Sequence, residues 1–317
     1  MDMFVKFFVA AVVAATPILF GTLGEILNER VGHVNLGVEG MMSMGACAGF
    51  MVGYLTDNIF LALVAAFAAG ALGALIYAFL TVTLMANQNV VGLTLTIFGV
   101  AIANFIGFYM LGKSPTKSLK LPENITAALS AKKIPLLGDI PVIGDMFFNY
   151  NIFVYIGVII AVVMAIYLYR TKVGLNVRAI GENPAAADAA GIKVTKWKYI
   201  NIIIGGGITG IGGAFTIMIT AGGVWISNCV GGLGWIAVAL VIFASWKPIN
   251  AIWGSLIFGI FRILKYYVPK TVPIPIAIYD MLPFLVTAIV LVANSIRQKK
   301  DNAQPASCGV NYFREER

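Results

Sequence analysis

The sequence predicts an all-α fold, a polytopic membrane helix bundle, and three observations carry that prediction. Of the 317 residues, 60% are hydrophobic and only 11% charged, and the mean hydropathy of +0.90 exceeds what a water-soluble domain of this size carries. The apolar residues fall into about nine stretches, at 4–27, 39–56, 58–86, 90–112, 150–170, 199–221, 234–247, 250–267 and 279–297. Most reach the roughly 20 residues a helix needs to cross hydrocarbon. Within each stretch the apolar residues run continuously instead of alternating, which argues against the strands of a membrane barrel.

Taken in order, the first stretch is too long for a cleaved leader and is expected to stay as a span. The polar break after it, Glu29 to Gly40, holds Arg30, Asn35, Gly37 and Glu39. Glycine there lets backbones approach, and Asn35 or Glu39 can satisfy open N–H groups at the next helix start. Small residues recur four apart at Ala66, Gly70, Ala74 and Ala78, at Gly99, Ala103 and Gly107, and at Gly206, Gly210 and Ala214. Such ridges let helices pack closely in lipid. The loop 113–149 holds Pro115, Pro122, Pro135 and Pro141 and shows no sign of an independent domain. The whole chain, 1–317, is therefore expected to be one transmembrane domain. The 234–247 stretch is short and follows a glycine-rich lead-in, which predicts a broken or re-entrant helix.

The insert 170–198 carries a short helix with its start and stop written in. Glu182, Asn183 and Pro184 open it, Ala185 to Ala190 with Asp188 carry it, and Gly191 closes it. Asn before Pro, with Gly just past the end, is N-cap, N1 and C′ chemistry. A helix of two turns does not hold alone in water, so this one is expected to dock on something.

Lys and Arg in the loops set orientation. Placing 170–198 in the cytoplasm puts Arg30, Arg170, Lys172, Arg178, Lys193, Lys196, Lys198, Lys247, Arg297, Lys299, Lys300, Arg314 and Arg317 inside. The tail 298–317 is then cytoplasmic, the loop 113–149 extracytoplasmic, and nine spans put the N-terminus outside. The net charge of +8 suits a face beside anionic membrane lipid and calls for no nucleic acid.

Several local patterns fail their context tests. Gly205, Gly207 and Gly210 fit GxGxxG, but no strand precedes them, so helix packing is the expected role. Gly107 to Ser114 spell GxxxxGKS, but they close an apolar stretch and no strand precedes them, so no phosphate-binding loop is expected. Asn183-Pro184-Ala185 spells the water-channel tripeptide, yet it occurs once and in a charged loop. Asp145 and Asp280 do not form an intramembrane protease pair, because position 142 is Val. Cys47, Cys229 and Cys308 show no CxxC spacing, and His33 lacks a metal-ligand partner at helical spacing, so no metal site is expected. His33 is read as a hydrogen-bonded loop residue.

Lys6, Glu25, Glu39, Arg262, Lys265 and Asp280 fall near the ends of the predicted spans. No acid is expected near the midplane, which disfavours an ion-coupled carrier and favours an uncharged solute. Candidate contacts along its path are Asn87, Asn89, Thr94, Thr96, Phe98, Asn104, Trp225, Asn228 and Trp235, each of which could instead simply pack.

Three blocks carry a family resemblance. They are ERxGxxNLGxEGMMxxGA at Glu29 to Ala46, GLNVRAIGENPAAADAAGI at Gly174 to Ile192, and Gly234-Trp235-Ile236-Ala237 through Trp246-Lys247-Pro248. Together they resemble permease subunits of bacterial ABC importers for simple sugars, branched-chain amino acids and nucleosides, most closely the nucleoside-type branch. Trp235 stands where that family often has Phe, and Lys247 replaces a usually uncharged residue. The resemblance implies that the Glu182 to Gly191 segment, with Arg178 beside it, is the helix through which a cytoplasmic ATPase moves the permease. It also implies a second permease subunit, an extracytoplasmic substrate-binding protein and the bacterial inner membrane. ATP and Mg would belong to the ATPase, with no cofactor in this chain and no catalysis by it. A simple-sugar permease is the alternative within the family, and an ATP-independent secondary carrier or channel is the alternative outside it.

Overall fold

Every apolar stretch read from the sequence is helical in the computed structural model, which describes residues 3–135, 138–268, 275–297 and 303–313. The long helices are α1 (Met3–Arg30), α2 (Val38–Thr56), α3 (Ile59–Ala78), α4 (Gln88–Lys113), α7 (Ile152–Arg170), α10 (Val194–Phe215), α12 (Pro248–Tyr267) and α13 (Ile276–Arg297). Shorter pieces are α5 (Glu123–Ala128), α6 (Ile143–Phe147), α8 (Lys172–Glu182), α9 (Pro184–Ala189) and α11 (Leu233–Phe243), with a small hairpin of β1 (Lys132–Lys133) and β2 (Asn149–Tyr150). Both α3 and α10 end in a π-helical turn, Phe79–Thr83 and Thr216–Thr220.

Among the described residues, six helices are long and apolar enough to cross a membrane, fewer than the nine stretches suggested. The reason is local. Glu39 and four glycines dilute α2, α11 has only 11 residues, and the apolar part of α13 shortens to Ile276–Val292.

Helix α10 is the hub. Its apolar window is 78% buried, whereas the other five candidate spans lie between 28% and 50%. Its glycines make this possible. Gly206 and Gly210 face Gly70, Ala66 and Ala74 of α3, Gly210 also meets Gly45 of α2, and Gly205 meets Gly24 of α1. The ridges of small residues therefore serve packing within the chain, as does the GxGxxG pattern, whose Gly207 packs on the Phe67 ring. On α4, Gly99 packs on Gly40 and Gly107 on the Trp225 ring.

Helix α1 gives a ruler for depth. The Thr22 hydroxyl donates to the Ala237 carbonyl (3.1 Å) and Arg30 Nε to the Trp246 carbonyl (3.0 Å), so α11 runs parallel to the last third of α1. At 1.5 Å per residue, Thr22 is about 12 Å from Arg30 and Leu233 about 18 Å, close to half way along α1. The predicted broken helix is thus α11, and it begins in the interior of the bundle.

The two ends of the molecule differ. At one lie the N-terminus, α5, α6 and the hairpin, with Phe8 against Phe147 and Leu119 and Leu121 paired to Trp225 and Gly223 by backbone hydrogen bonds. At the other lie α8, α9 and residues 303–313 of the tail, with the Ser307 N–H donating to the Gly181 carbonyl (2.9 Å). Lys299, Lys300, Arg314 and Arg317, counted above for orientation, lie outside the described residues, as does the Arg297 side chain.

Candidate functional site

The polar break after α1 is where the structure departs furthest from an ordinary turn. Residues 31–37 lead back into the bundle as two turns, 31–32 and 36–37, joined by an irregular stretch, and backbone groups there must be satisfied internally. Side chains do so one by one. Gln88 Oε1 accepts from the Val34 N–H (2.9 Å), Glu25 Oε1 from the Asn35 N–H (2.7 Å), and Asn35 Oδ1 from the Gly37 N–H (2.9 Å). Tyr77 Oη donates to the Val34 carbonyl (2.5 Å) and Thr96 Oγ1 to the Leu36 carbonyl (2.8 Å). Gly32 takes φ +89°, and Gly37 and Gly40 lie against α4. Asn35 thus meets its expectation at the start of α2. Glu39 does not cap its own helix: its two oxygens accept from the N–H groups of Gly232 (2.8 Å) and Gly234 (2.7 Å), at the start of α11. A carboxylate suits that place, because the open amides of a helix start carry partial positive charge.

Glu25 and Glu39 therefore do not reach water as expected. Glu25 is fully buried and Glu39 7% exposed. Glu25 takes hydrogen bonds from Asn28 Nδ2 (2.7 Å) and Asn35, so both acids are occupied by structural donors. Lys198, counted in the basic set that fixed orientation, is also buried. His33 is buried with neither ring nitrogen hydrogen-bonded among the described residues, packing edge-on to Tyr77 at 6.3 Å. Burial, with Lys198 nearby, holds its pKa well below the usual histidine range.

At the α9 end, the helix signals are realised. Thr171 caps α8 through Oγ1 to Gly174 (3.0 Å), and Asn183 Oδ1 accepts from the Ala186 N–H (3.0 Å) with Pro184 in the first turn. Gly191 at φ +81° closes α9, and the Ile192 N–H reaches back to the Ala187 carbonyl (3.0 Å) in a Schellman arrangement. Ala187 and Ile192 hold the helix to the core, while Glu182, Asn183, Ala185, Ala186, Ala189 and Gly191 are exposed. Asp188 points away from that surface, accepting from Tyr312 Oη (3.1 Å). Arg178 and Arg30 both lie over the Tyr169 ring, at 5.1 and 5.9 Å, and Arg30 also bonds Tyr169 Oη (3.0 Å). Trp246 Nε1 donates to Glu29 Oε2 (2.5 Å). A cleft of about 480 Å³ opens here, lined by Arg30, Tyr169, Leu175, Arg178, Glu182 and Lys247.

The tail is the element sequence reasoning missed. Ser307 Oγ donates to the Gly181 carbonyl (2.6 Å), and Asn311 Nδ2 to the carbonyls of Met85 and Ala86 (2.5 and 3.3 Å). Residues 306–312 thus strap α8 and α9 to the start of α4. The available signal was an apolar and aromatic cluster, Cys308 to Phe313, beyond a charged linker. Burial, with Glu29 alongside, pushes the Cys308 thiol pKa well up, so little thiolate exists at neutral pH. Asn311→Ala is expected to loosen the strap and speed maleimide alkylation of Cys308, followed by mass spectrometry. An unchanged rate would show that Asn311 does not hold the tail.

The candidate path residues do not form one site. Asn104 and Asn228 pair reciprocally, Nδ2 of Asn104 to Oδ1 of Asn228 (2.7 Å) and the Asn228 N–H to Asn104 Oδ1 (3.1 Å), next to Trp225, Ser43 and Cys229. Trp225 is buried against Phe50 with its indole N–H unpartnered among the described residues. Asn87 caps α4 through Val90 (3.1 Å), Thr94 bonds the Val90 carbonyl (2.9 Å), and Asn89 and Phe98 are exposed. Asn89 and Asn104 are about 22 Å apart along α4, too far to share a small solute. Trp235 lies elsewhere, in a cavity with Arg262. Among the described residues no three His, Cys, Asp or Glu side chains are placed to hold a metal ion.

A multi-pass membrane bundle in which α11 begins at mid-depth, with a capped polar helix on one end, is compatible with the architecture of a transport permease. The comparison with known proteins agrees. Residues 7–291 match the family described as branched-chain amino acid transport system / permease component, and the chain belongs to it. A provisionally named glucose ABC transporter permease protein of Haloferax volcanii is 37% identical over 81% of this chain and 75% of its own. A nucleoside ABC transporter permease protein of Lactococcus lactis is 32% identical over 95% and 94%. A guanosine ABC transporter permease protein of Bacillus subtilis is 35% identical over 89% of each. Among solved structures, an ABC transporter provisionally assigned to the metal-chelate type, in an inward-facing conformation, covers 92% of this chain and 86% of its own at 15% identity and a TM-score of 0.49.

Proposed function

We propose that this chain is the permease subunit of an ATP-driven importer for a neutral polar solute, a nucleoside, in a bacterial inner membrane. The observation that carries the reading is the exposed face of α9, double-capped by Asn183 and Gly191 and presented at the end that also holds Arg178 and the tail. That end would be cytoplasmic and would meet ABC ATPase subunits, with ATP and Mg bound there. Glu182, Asn183, Pro184 and Gly191 would form the contact, whereas Asp188 would act from beneath through Tyr312. A second permease subunit would complete the path, and an extracytoplasmic binding protein would deliver solute at the α5–α6 end. Nucleoside is favoured over sugar because the two nucleoside-type relatives align over 95% and 89% of the chain, against 81% for the glucose one. Residues 29–40 would serve as scaffold, and the chain would act as a single domain.

Purification from its host is expected to bring down an ATPase, and reconstituted complex should take up nucleoside only with ATP. Asn183→Ala removes the cap of α9, a loss of about 1 kcal/mol of helix stability, and should weaken retention of the ATPase on an affinity column severalfold. ATP-independent uptake by this chain alone in liposomes would overturn the reading in favour of a carrier or channel.

A further inference from the structure

A second cavity, of about 650 Å³, lies between the start of α11 and the halves of α12 and α13 nearest the N-terminal end. Its walls include Trp235, Arg262, Lys265, Tyr279, Asp280 and Phe284. Helix α12 leaves the Arg30 end just after Trp246 and finishes beside Phe7, where the Tyr267 ring lies 5.0 Å away edge-on. Arg262 and Lys265 therefore sit in the half of the bundle away from α9, where an importer loads. The floor is the mid-depth start of α11, with Gly231 and Gly232 at φ +56° and +88°.

Arg262, Lys265 and Asp280 lie within about two turns of their helix ends, where charged side chains reach toward water, a partner or a ligand. Lys265 Nζ and Asp280 Oδ1 pair at 2.7 Å, with the side chains 17% and 53% exposed. The second Asp280 oxygen takes no hydrogen bond among the described residues, and the Arg262 guanidinium makes neither a hydrogen bond nor an ion pair among them. Among the described residues the cavity thus offers guanidinium donors of Arg262, which is drawn toward Asp280 and Glu39 without bonding either, one open acceptor on Asp280 and the aromatic surfaces of Trp235, Tyr279 and Phe284. Two cations and Asp280, with Glu39 behind the floor, leave it without a strong net charge. Its volume falls in the range of small-molecule sites.

We propose that this cavity is the solute-loading subsite of the permease and that it takes a ribonucleoside. The base stacks on Trp235, Arg262 donates to a base carbonyl or ring nitrogen, and the vicinal hydroxyls bridge Asp280 and Lys265. A free hexose offers the diol without the planar base, and a 2′,3′-dideoxynucleoside the base without the diol. The assignment rests on the nucleoside reading above and adds its place and its recognition chemistry.

The test uses the complete transporter in proteoliposomes with its binding protein, comparing ribonucleoside with 2′,3′-dideoxynucleoside uptake. Asp280→Asn and Lys265→Gln are each expected to raise the ribonucleoside KM about tenfold, the scale of one hydrogen bond to a charged group, and to shrink the ribo-over-dideoxy preference by a similar factor relative to wild type. Trp235→Leu should weaken all nucleosides together and keep that preference. An azido-purine nucleoside photolabel on the wild-type complex, which does not depend on any variant folding, should mark the α11 and α13 peptides and be competed by ribonucleosides more than by dideoxynucleosides. Wild-type nucleoside uptake with unchanged preference in both variants, or labelling confined to the Asn104 and Asn228 peptides, overturns the cavity assignment alone. A wild-type transporter that imports a hexose and no nucleoside overturns the nucleoside reading and the ribose assignment with it.

Discussion

Glu39→Ala is expected to be among the most damaging single changes in this protein. It strips both acceptors from the start of α11, leaving the N–H groups of Gly232 and Gly234, which Glu39 meets at 2.8 and 2.7 Å, without partners near the bundle midplane. Hydrogen bonds to a charged group contribute about 1.5–3 kcal/mol each, so the loss amounts to roughly 3–5 kcal/mol once partial rehydration is allowed for. Glu39→Gln retains one acceptor and turns an amide N–H toward the other donor, so an intermediate cost is expected. The measurement is the thermal unfolding midpoint of the purified protein in detergent, together with uptake by the reconstituted complex. A midpoint for Glu39→Ala within about 1 °C of wild type would show that the helix start finds other partners, since at about 2.1 cal/mol/K per residue a loss of this size shifts a chain of 317 residues by about 5–7 °C.

Gly210→Val is the second. A Cβ at Gly210 runs into the Ala66 carbonyl and approaches Gly70, and the Gly210 backbone is itself the surface on which Gly45 packs, so three helices meet at this residue. Each neighbour in that contact is backbone, which cannot rotate away as a side chain would. Overpacking costs about 1–3 kcal/mol where side chains can yield, and more where they cannot, so the variant is expected to fall at or above the top of that range. Gly112→Ala is the control, because a Cβ there meets nothing within 4 Å; it should be neutral or slightly stabilising. Expression and monodispersity on size exclusion separate the two. A well-behaved Gly210→Val protein would mean that α2, α3 and α10 can part without loss of the fold.

The readable parts of this protein are those whose cause lies within a few residues. Asn183, Pro184 and Gly191 specified α9 because a cap is a contact between near neighbours. The Gly206–Gly210 ridge was visible because small residues four apart share a helix face. The basic set was less well read. Lys198 was counted with the loop cations but is buried, near His33 and Cys308 of segments distant in sequence.

Glu39 illustrates the limit most clearly. Its place at the start of α2 suggested a cap, and it is one, but for a helix start 193 to 195 residues away. Glu29 with Trp246 and Tyr312 with Asp188 span 217 and 124 residues in the same way. Trp235 was grouped with Trp225 and Asn228 as a candidate contact for an uncharged solute, yet α11 carries it into a cavity built with α12 and α13.

By itself, then, the sequence determined that the chain is a bundle of membrane helices, where those helices start and stop, which faces are narrow enough to pack, and that one short polar helix is capped at both ends. Hydropathy, capping and helical periodicity are properties of neighbouring residues and survive without a fold. The tertiary structure alone decided which buried amide each acid serves, that residues 306–312 strap α8 and α9 to α4, and that Arg262, Lys265 and Asp280 share a cavity with Trp235. Those pairings follow from how helices distant in sequence cross, and inside the bundle a polar group pairs with whichever partner the crossing brings within reach, because water is not there to take its place.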